Sequence, residues 1–374
     1  MTAEPNNVPM KTPLPIGSVL GIIGGGQLGR MTAIAATRLG YRSVVLSQSA
    51  DDPAASVAHH HILSDYTDRI GLQKFADLAD VVTYELEQLP LDAVQWLAER
   101  VPVVPDCRIL EIAQDRISEK TFLSSAGIPT ADWRPVRERD KLLAALGEDG
   151  RPAVFKVAYG GYDGKGQAVI DSGLGDAEVL EIWDRLSAGA DMAAILEQKL
   201  DFECELSVIV ARDFNGDMAA YDPAFNVHKN HILDTSTVPA PIDPKISKAA
   251  QEIAYDLAAA LDLVGLICLE LFLMPSGEIF ANEIAPRPHN SGHWTLDAAY
   301  TDQFEQVVRA TCGLPLGNTN RFIDARMQNI IGEDANNIDQ YVRQPNAKLH
   351  MYGKRETRPG RKMGHVTFLG SAAD

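Results

Sequence analysis

Positive charge is in short supply in this sequence. Lys and Arg number 34 against 51 Asp and Glu, a formal net charge of −17 over 374 residues, and that balance argues against a nucleic acid or an anionic membrane surface as partner. Any phosphate-binding site must therefore be built locally. Cysteine is sparse as well. Cys107, Cys204, Cys268 and Cys312 are widely scattered with no CxxC pair, which indicates neither a zinc site nor a disulfide framework and fits a reducing cytoplasm. Met1 to Pro15 holds four prolines and no long apolar run, so it reads as a flexible arm rather than a signal peptide or membrane helix. Internal repeats, low-complexity tracts and runs of like charge are missing too. What remains, 45% hydrophobic and 23% charged residues, is ordinary globular composition with length for two or three domains.

Glycine is concentrated at one place. In Phe155 to Gly166, FKVAYGGYDGKG, a strand expected over Pro152 to Val157 carries Lys156 into a loop with glycines at 160, 161, 164 and 166. Such glycines let backbone N–H groups approach an anion, and Lys156 and Lys165 add charge. With a return strand at Gln167 to Ile170, the segment reads as a hairpin lid over nucleotide phosphates. A mobile surface hairpin is the competing reading, since glycine clusters mark turns more often than sites.

Ahead of the lid, Ser18 to Ser47 spells a βαβ unit: strand Val19 to Ile23, glycine turn Gly24 to Gly29, helix Arg30 to Leu39, strand Ser43 to Leu46. The turn matches GxGxxG, and a helix N-terminus there could hold phosphate. Ser47 and Gln48 argue against a dinucleotide, because that fingerprint wants an acid where they stand. Ala54 to His61 reads as a short helix running into three histidines, which cannot all converge on one metal. Asp80 to Tyr84 is a buried strand that delivers Glu85 and Glu87 at its carboxyl edge, where open α/β sheets bind ligands. Glu85 is the preferred contact. Pro102 to Pro105 reads as the last strand of this domain. Arg108 to Gly127 reads as one helix whose charges Asp115, Arg116, Glu119 and Lys120 form a solvated face, with an arginine able to reach a phosphate under the lid.

Past Gly127 the pattern becomes α+β. Ala194 to Gln198, an apolar strand ending in Glu197, and a following strand opened by Glu205 suggest an adenine edge with a carboxylate for ribose hydroxyls. His228 could hydrogen-bond a nucleotide or simply be exposed. After a helix over Lys245 to Leu261, the strand GLICLELFLMP turns at Ser276 and Gly277 into EIFANEIAPRPHNSGHWT. Glu270 lies six residues before Ser276 and Glu283 six after Gly277, so a hairpin sets them opposite each other, with Cβ atoms about 5 Å apart. Two like charges amid apolar neighbours call for a cation. Mg²⁺ fits, since it takes a few carboxylate oxygens plus phosphate and water, and Asn282 adds a neutral oxygen.

The lid GGYDGKG, the pair CLELF and ANEIAPRPHNSGHWT, and the late RPGRKMGH together resemble the ATP-grasp 5-(carboxyamino)imidazole ribonucleotide synthases of purine biosynthesis. The resemblance runs from Ser18 to about Leu369. The ATP-dependent glycinamide ribonucleotide formyltransferases are similar throughout, but with a serine-rich lid where this sequence has Tyr162 and Asp163. A non-catalytic nucleotide-binding module is the third reading.

The resemblance implies an ATP-grasp fold of mixed α/β and α+β class. It implies an arm over 1–16, a Rossmann-like βαβ domain over 17–113, an ATP-grasp domain over 114–320 with a lid subdomain at about 128–196, and a small C-terminal domain over 321–374. ATP would contact Arg116, Lys156, the lid residues Gly160, Gly161, Tyr162, Asp163, Gly164, Lys165 and Gly166, then Glu197, Gln198, Lys199, Leu200, Glu205, His228, Asn282 and Glu283. Glu270 and Glu283 would hold Mg²⁺. Aminoimidazole ribonucleotide would meet Gln27, Leu28, Glu85, Arg287, Asn290, Lys354, Arg361 and Lys362, the last three from the basic stretch KRETRPGRK that an acidic chain needs for a phosphorylated substrate. Catalytic roles would fall to Asp163, Arg287, Lys354 and Arg361. The implied reaction carboxylates the amine of the ribonucleotide with bicarbonate and ATP, through carboxyphosphate, in a cytoplasmic homodimer. Members of that family continue with a further amphipathic helix after the GHVTFLG strand, where this sequence stops at Asp374.

Overall fold

The computed structural model describes residues 12–149, 152–161, 165–189 and 191–370. Most of the expected arm and the lid positions Tyr162, Asp163 and Gly164 lie outside the described residues. Four parallel strands, β1 (Val19–Ile23), β2 (Arg42–Ser47), β3 (His60–Leu63) and β4 (Val81–Tyr84), form the first sheet in the order β3-β2-β1-β4. Strands β1 and β4 are buried along their whole length, as parallel strands covered on both faces must be.

Two expectations fail in this region. Ala54 to His61 is not a helix but a run of turns leading into β3, which pairs with β2 from Val44 and His60 onward. The histidines serve that pairing: His59 Nδ1 accepts from the Ser43 N–H at 3.2 Å, and His61 Nε2 lies 3.0 Å from Ser47 Oγ. Pro102 to Pro105 adds only an isolated bridge, Val103 to Val82, because its prolines cannot donate to a ladder.

The expected helix over Arg108 to Gly127 is two helices, Cys107–Gln114 and Arg116–Ser125. Asp115 between them is extended (φ −122°, ψ 114°), and its carboxylate accepts from the N–H groups of Ile117 (2.7 Å) and Ser118 (3.2 Å). An aspartate N-cap thus restarts the helix. Asp115 also bridges Tyr159, and the Arg116 N–H donates to the Ala158 carbonyl at 2.9 Å, so the second helix begins beside the lid.

The lid sheet is antiparallel, β5 (Trp133–Val136), β6 (Ala153–Val157), β7 (Gln167–Ile170) and β8 (Ala194–Gln198), in the order β5-β8-β6-β7. Its hairpin pairs Lys156 with Gln167. The central sheet has nine strands: β9 (Cys204–Arg212), β10 (Met218–Ala220), β11 (Ala224–Lys229), β12 (Ile232–Val238), β13 (Gly265–Leu273), β14 (Ile279–Ala285), β15 (Ala325–Ile331), β16 (Ala347–Met351) and β17 (Lys362–Leu369). They run β14-β13-β9-β11-β12-β15-β17-β16, with β10 on β9. The C-terminal strands therefore prolong the central sheet through the β12–β15 pair. Helix Pro244–Ala260 buries Ala250, Ala254, Leu257 and Ala258 in the core it shares with β9 and β13. Among the described residues no helix is long and apolar enough to cross a membrane.

Candidate active site

A cleft of about 470 Å³ opens between the lid, the β13–β14 hairpin and the carboxyl edge of β4. Its wall gathers Gln27, Leu28, Glu85, Arg116, Gly160, Gly161, Lys165, Glu205, His228, Glu270, Asn282, Glu283, Arg287, Asn290 and Lys362, all expected from the sequence. Other expected residues sit off the wall. Lys156 and Glu197 are buried behind it; Gln198 is exposed, Lys199 pairs with Asp171 at 3.2 Å, and Leu200 is half-buried. Gly166 has φ +76° and its carbonyl accepts from the Val157 N–H at 2.8 Å. Lys354 Nζ donates to the Lys362 carbonyl at 2.7 Å, and Arg361 Nη1 donates to the Glu356 carbonyl at 2.9 Å.

Glu270 and Glu283 are cross-strand partners, with a register shift directly after Glu270. Such bulges re-aim side chains at functional sites. Arg116 Nη1 lies 3.1 Å from Glu283, His289 Nε2 lies 3.1 Å from Glu270, and Arg116 Nη2 also donates to the Gly161 carbonyl at 3.1 Å. One arginine therefore ties the lid to the acid strand. Burial works against the Glu283 carboxylate, but Arg116 outweighs it and holds the pKa below its ordinary value. For His289, burial opposes the charged ring, while the Cys268 sulfur and Glu270 outweigh it and raise the pKa. In His228, which contacts Glu205, burial is likewise overcome by that carboxylate.

Glu85 answers a question the glycine turn raised. Its Oε2 accepts from the Gly29 N–H at 2.6 Å and its Oε1 from the Gly26 N–H, so a carboxylate occupies the helix N-terminus that could have held phosphate. The glycines permit this approach: a Cβ on Gly26 would stand 2.7 Å from Glu85 Oε1. Burial raises the Glu85 pKa against those two donors. Its neighbour Glu87 pairs with half-buried Arg287 at 3.1 Å.

The solvated face expected on helix Arg116–Ser125 is the largest correction. Glu119 and Lys120 are 2% and 1% exposed. Glu119 Oε1 accepts from the Ile284 N–H at 2.6 Å, and burial pushes its carboxyl up to about 8 despite Lys120 and Arg116. Lys120 Nζ lies 2.6 Å from Glu197 Oε1, and Lys156 takes the other oxygen. Glu197 thus gives its carboxylate to two lysines. Glu87, Glu119, Lys120 and His289 were not singled out as site residues by the sequence. The signals were faint: Glu119 and Lys120 stand three and four residues after Arg116, on one helical face, and His289 stands two after Arg287.

The donor set suits Mg²⁺. Glu270 and Glu283 are partly accessible (side chains 20% and 40% exposed) and offer only hard carboxylate oxygens, few enough to leave positions for phosphate and water, whereas the neutral oxygen expected from Asn282 accepts from Lys156 Nζ at 3.2 Å.

Three family models match successive parts of the chain: a ribonucleotide synthetase preATP-grasp domain (18–114), an ATP-grasp domain (121–304) and a phosphoribosylaminoimidazole carboxylase C-terminal domain (325–374). The N5-carboxyaminoimidazole ribonucleotide synthase of Brucella melitensis is 48% identical over 359 residues, 96% of this chain and 98% of the relative. The chain belongs to the N5-carboxyaminoimidazole ribonucleotide synthase family. A solved synthetase of this family in complex with ADP superposes with a TM-score of 0.92 at 42% identity, covering 96% of this chain and 94% of that one. The Aspergillus clavatus synthase, solved with ADP and 5-aminoimidazole ribonucleotide, gives 0.87 at 30% identity over 95% and 94%. The ATP-grasp fold expected from the sequence, with its N-terminal and C-terminal companions, is the fold of this synthase family.

Proposed function

We propose that this chain catalyses the ATP-dependent carboxylation of 5-aminoimidazole ribonucleotide by bicarbonate, giving N5-carboxyaminoimidazole ribonucleotide, ADP and phosphate. One observation carries the reading: a single cleft has two cationic flanks, Arg116 and Lys165 at the lid, and Arg287 and Lys362 from the end of β14 and the start of β17. Two phosphorylated substrates need two such flanks. Bicarbonate requires activation because hydroxide leaves poorly. An oxygen of bicarbonate takes the γ-phosphoryl group of ATP and ADP departs, leaving carboxyphosphate. The ribonucleotide amine then bonds the carboxyl carbon, phosphate leaves, and the nitrogen sheds one proton.

The protein's part is placement and charge. Glu270 and Glu283 would hold Mg²⁺, which supplies neutralisation of phosphate charge. Arg287, braced by Glu87, holds the acyl phosphate, and Asn290 beside it offers amide atoms that have no hydrogen-bond partner among the described residues. Lys354 and Lys362 take the ribonucleotide phosphate. The reading includes a cytoplasmic homodimer, as the resemblance implies; all four thiols are free, which suits a reducing compartment. The test is ADP release with aminoimidazole ribonucleotide and bicarbonate, and separately with glycinamide ribonucleotide and formate. Turnover with the first pair alone is expected. Turnover with the second alone would overturn the assignment in favour of formyl transfer.

A further inference from the structure

Behind the cleft wall, three side chains from three elements form an ion cluster that the chemistry above leaves without a task. Glu197 of β8 gives one carboxylate oxygen to Lys120 of helix Arg116–Ser125, at 2.6 Å, and the other to Lys156 of β6. Both lysines then reach Asn282 of β14: Lys120 Nζ donates to its main-chain carbonyl at 2.8 Å, and Lys156 Nζ to its Oδ1 at 3.2 Å. Lys120 is 1% exposed and Glu197 4%. Burying an ammonium so completely is costly, and Lys156 alone would already neutralise Glu197. The second lysine therefore calls for an explanation.

Charge counting supplies one. With Lys156 alone, Glu197 closes a neutral pair and the charge of Lys156 is spent. With Lys120 present, the cluster carries one positive charge in excess, and Lys156 belongs to the lid hairpin, where it pairs with Gln167. The surrounding carboxyls do not absorb that excess: Glu283 is met by Arg116 at 3.1 Å, and Glu119 is pushed up to about 8 by burial, which leaves it mostly protonated at neutral pH. We infer that Lys120 is a positioning residue for nucleotide binding: it satisfies Glu197 so that Lys156 keeps its charge for the polyphosphate of ATP. This inference rests on the assignment of the cleft to ATP.

The decisive experiment uses the full chain and titrates ADP with Mg²⁺ onto the parent, Lys120→Met, and the double variant Lys120→Met with Glu197→Gln. Losing one charge-assisted contact should weaken ADP binding about tenfold or more in the single variant. The double variant should recover to within about threefold of the parent, because removing the Glu197 charge releases Lys156 again; this is the coupling a double-mutant cycle reads. The KM for aminoimidazole ribonucleotide should stay put in both. If the single variant fails to fold, the double variant alone decides, by the same threefold criterion. A double variant as weak as the single one, or failure of both to fold, would overturn the inference and leave Lys120 as a structural tie between helix and sheet. Failure of the parent itself to bind ADP would instead contradict the nucleotide assignment.

Discussion

Glu270 and Glu283 face each other across the β13–β14 ladder, and each has a cationic companion, His289 and Arg116, at 3.1 Å. Like charges paired on neighbouring strands repel, and here the repulsion is offset by groups that also line the cleft. Under the proposed function this pair would hold the Mg²⁺ of the nucleotide.

Replacing either acid by glutamine removes charge with little change in volume. Glu270→Gln and Glu283→Gln should each abolish most turnover while leaving thermal unfolding unchanged or raised. Activity near the parent level at ordinary Mg²⁺ would refute a metal role for that residue.

Counting outward from a two-residue turn at Ser276 and Gly277 anticipates that pairing, but next to the turn Leu273 pairs with Ile279, one residue off that count, and the register shift after Glu270 restores the match. The lid hairpin and the βαβ unit were legible for similar local reasons. What the sequence concealed was tertiary. Arg116, Glu119 and Lys120 look like an ordinary solvated stripe, since helical spacing marks a face without saying whether β14 or water covers it. Asp115 also hid a helix break, because an aspartate reads equally as a surface residue or a cap. Glu85 was found as a cleft residue, but its partners, the Gly26 and Gly29 N–H groups, were read only as part of a helix N-terminus that could hold phosphate.

The glycine turn gives a stability test. Gly24 has φ +110°, and a Cβ there would lie 2.2 Å from Leu86 Cδ2. Gly24→Ala should cost about 2 kcal/mol or more from strain and overlap together, measured by denaturant unfolding. A loss of under about half that would show that the turn tolerates a side chain.

Lys354 should govern ribonucleotide affinity and its pH dependence. Burial and then Arg361 lower its pKa to about 8, so it is charged below that value and loses charge above it. The value of kcat/KM for aminoimidazole ribonucleotide should fall as pH rises through about 8, and Lys354→Arg should move that fall upward. Lys354→Ala should weaken ribonucleotide binding by about 1.5–3 kcal/mol, the scale of a lost charged hydrogen bond, with ATP affinity unchanged. Arg361 Nη1 likewise donates to a main-chain carbonyl, that of Glu356, and Arg361→Ala should weaken ribonucleotide binding in the same direction. Loss of ATP affinity with ribonucleotide affinity intact would reverse the two flanks.

Glu119 carries a pH-dependent penalty. Its carboxyl rises from 4.5 to about 8 on folding, so its contribution is fully present below pH 4.5 and is lost progressively as pH climbs to about 8. Glu119→Gln keeps an oxygen for the Ile284 N–H and cannot ionise. Its stability relative to the parent should therefore grow between pH 5 and pH 8, followed by chemical denaturation. A difference independent of pH would contradict a buried, protonated Glu119.

Bicarbonate labelled with ¹³C and ¹⁸O tests the assigned reaction most directly. Incubated with ATP, Mg²⁺ and aminoimidazole ribonucleotide, the protein should place ¹³C in a carbamate on the ribonucleotide, with one ¹⁸O passing to inorganic phosphate for each ADP formed. ADP formed without ¹³C in the ribonucleotide would contradict the carboxylation, and ¹³C transfer with no ¹⁸O in phosphate would contradict carboxyphosphate as the activated species.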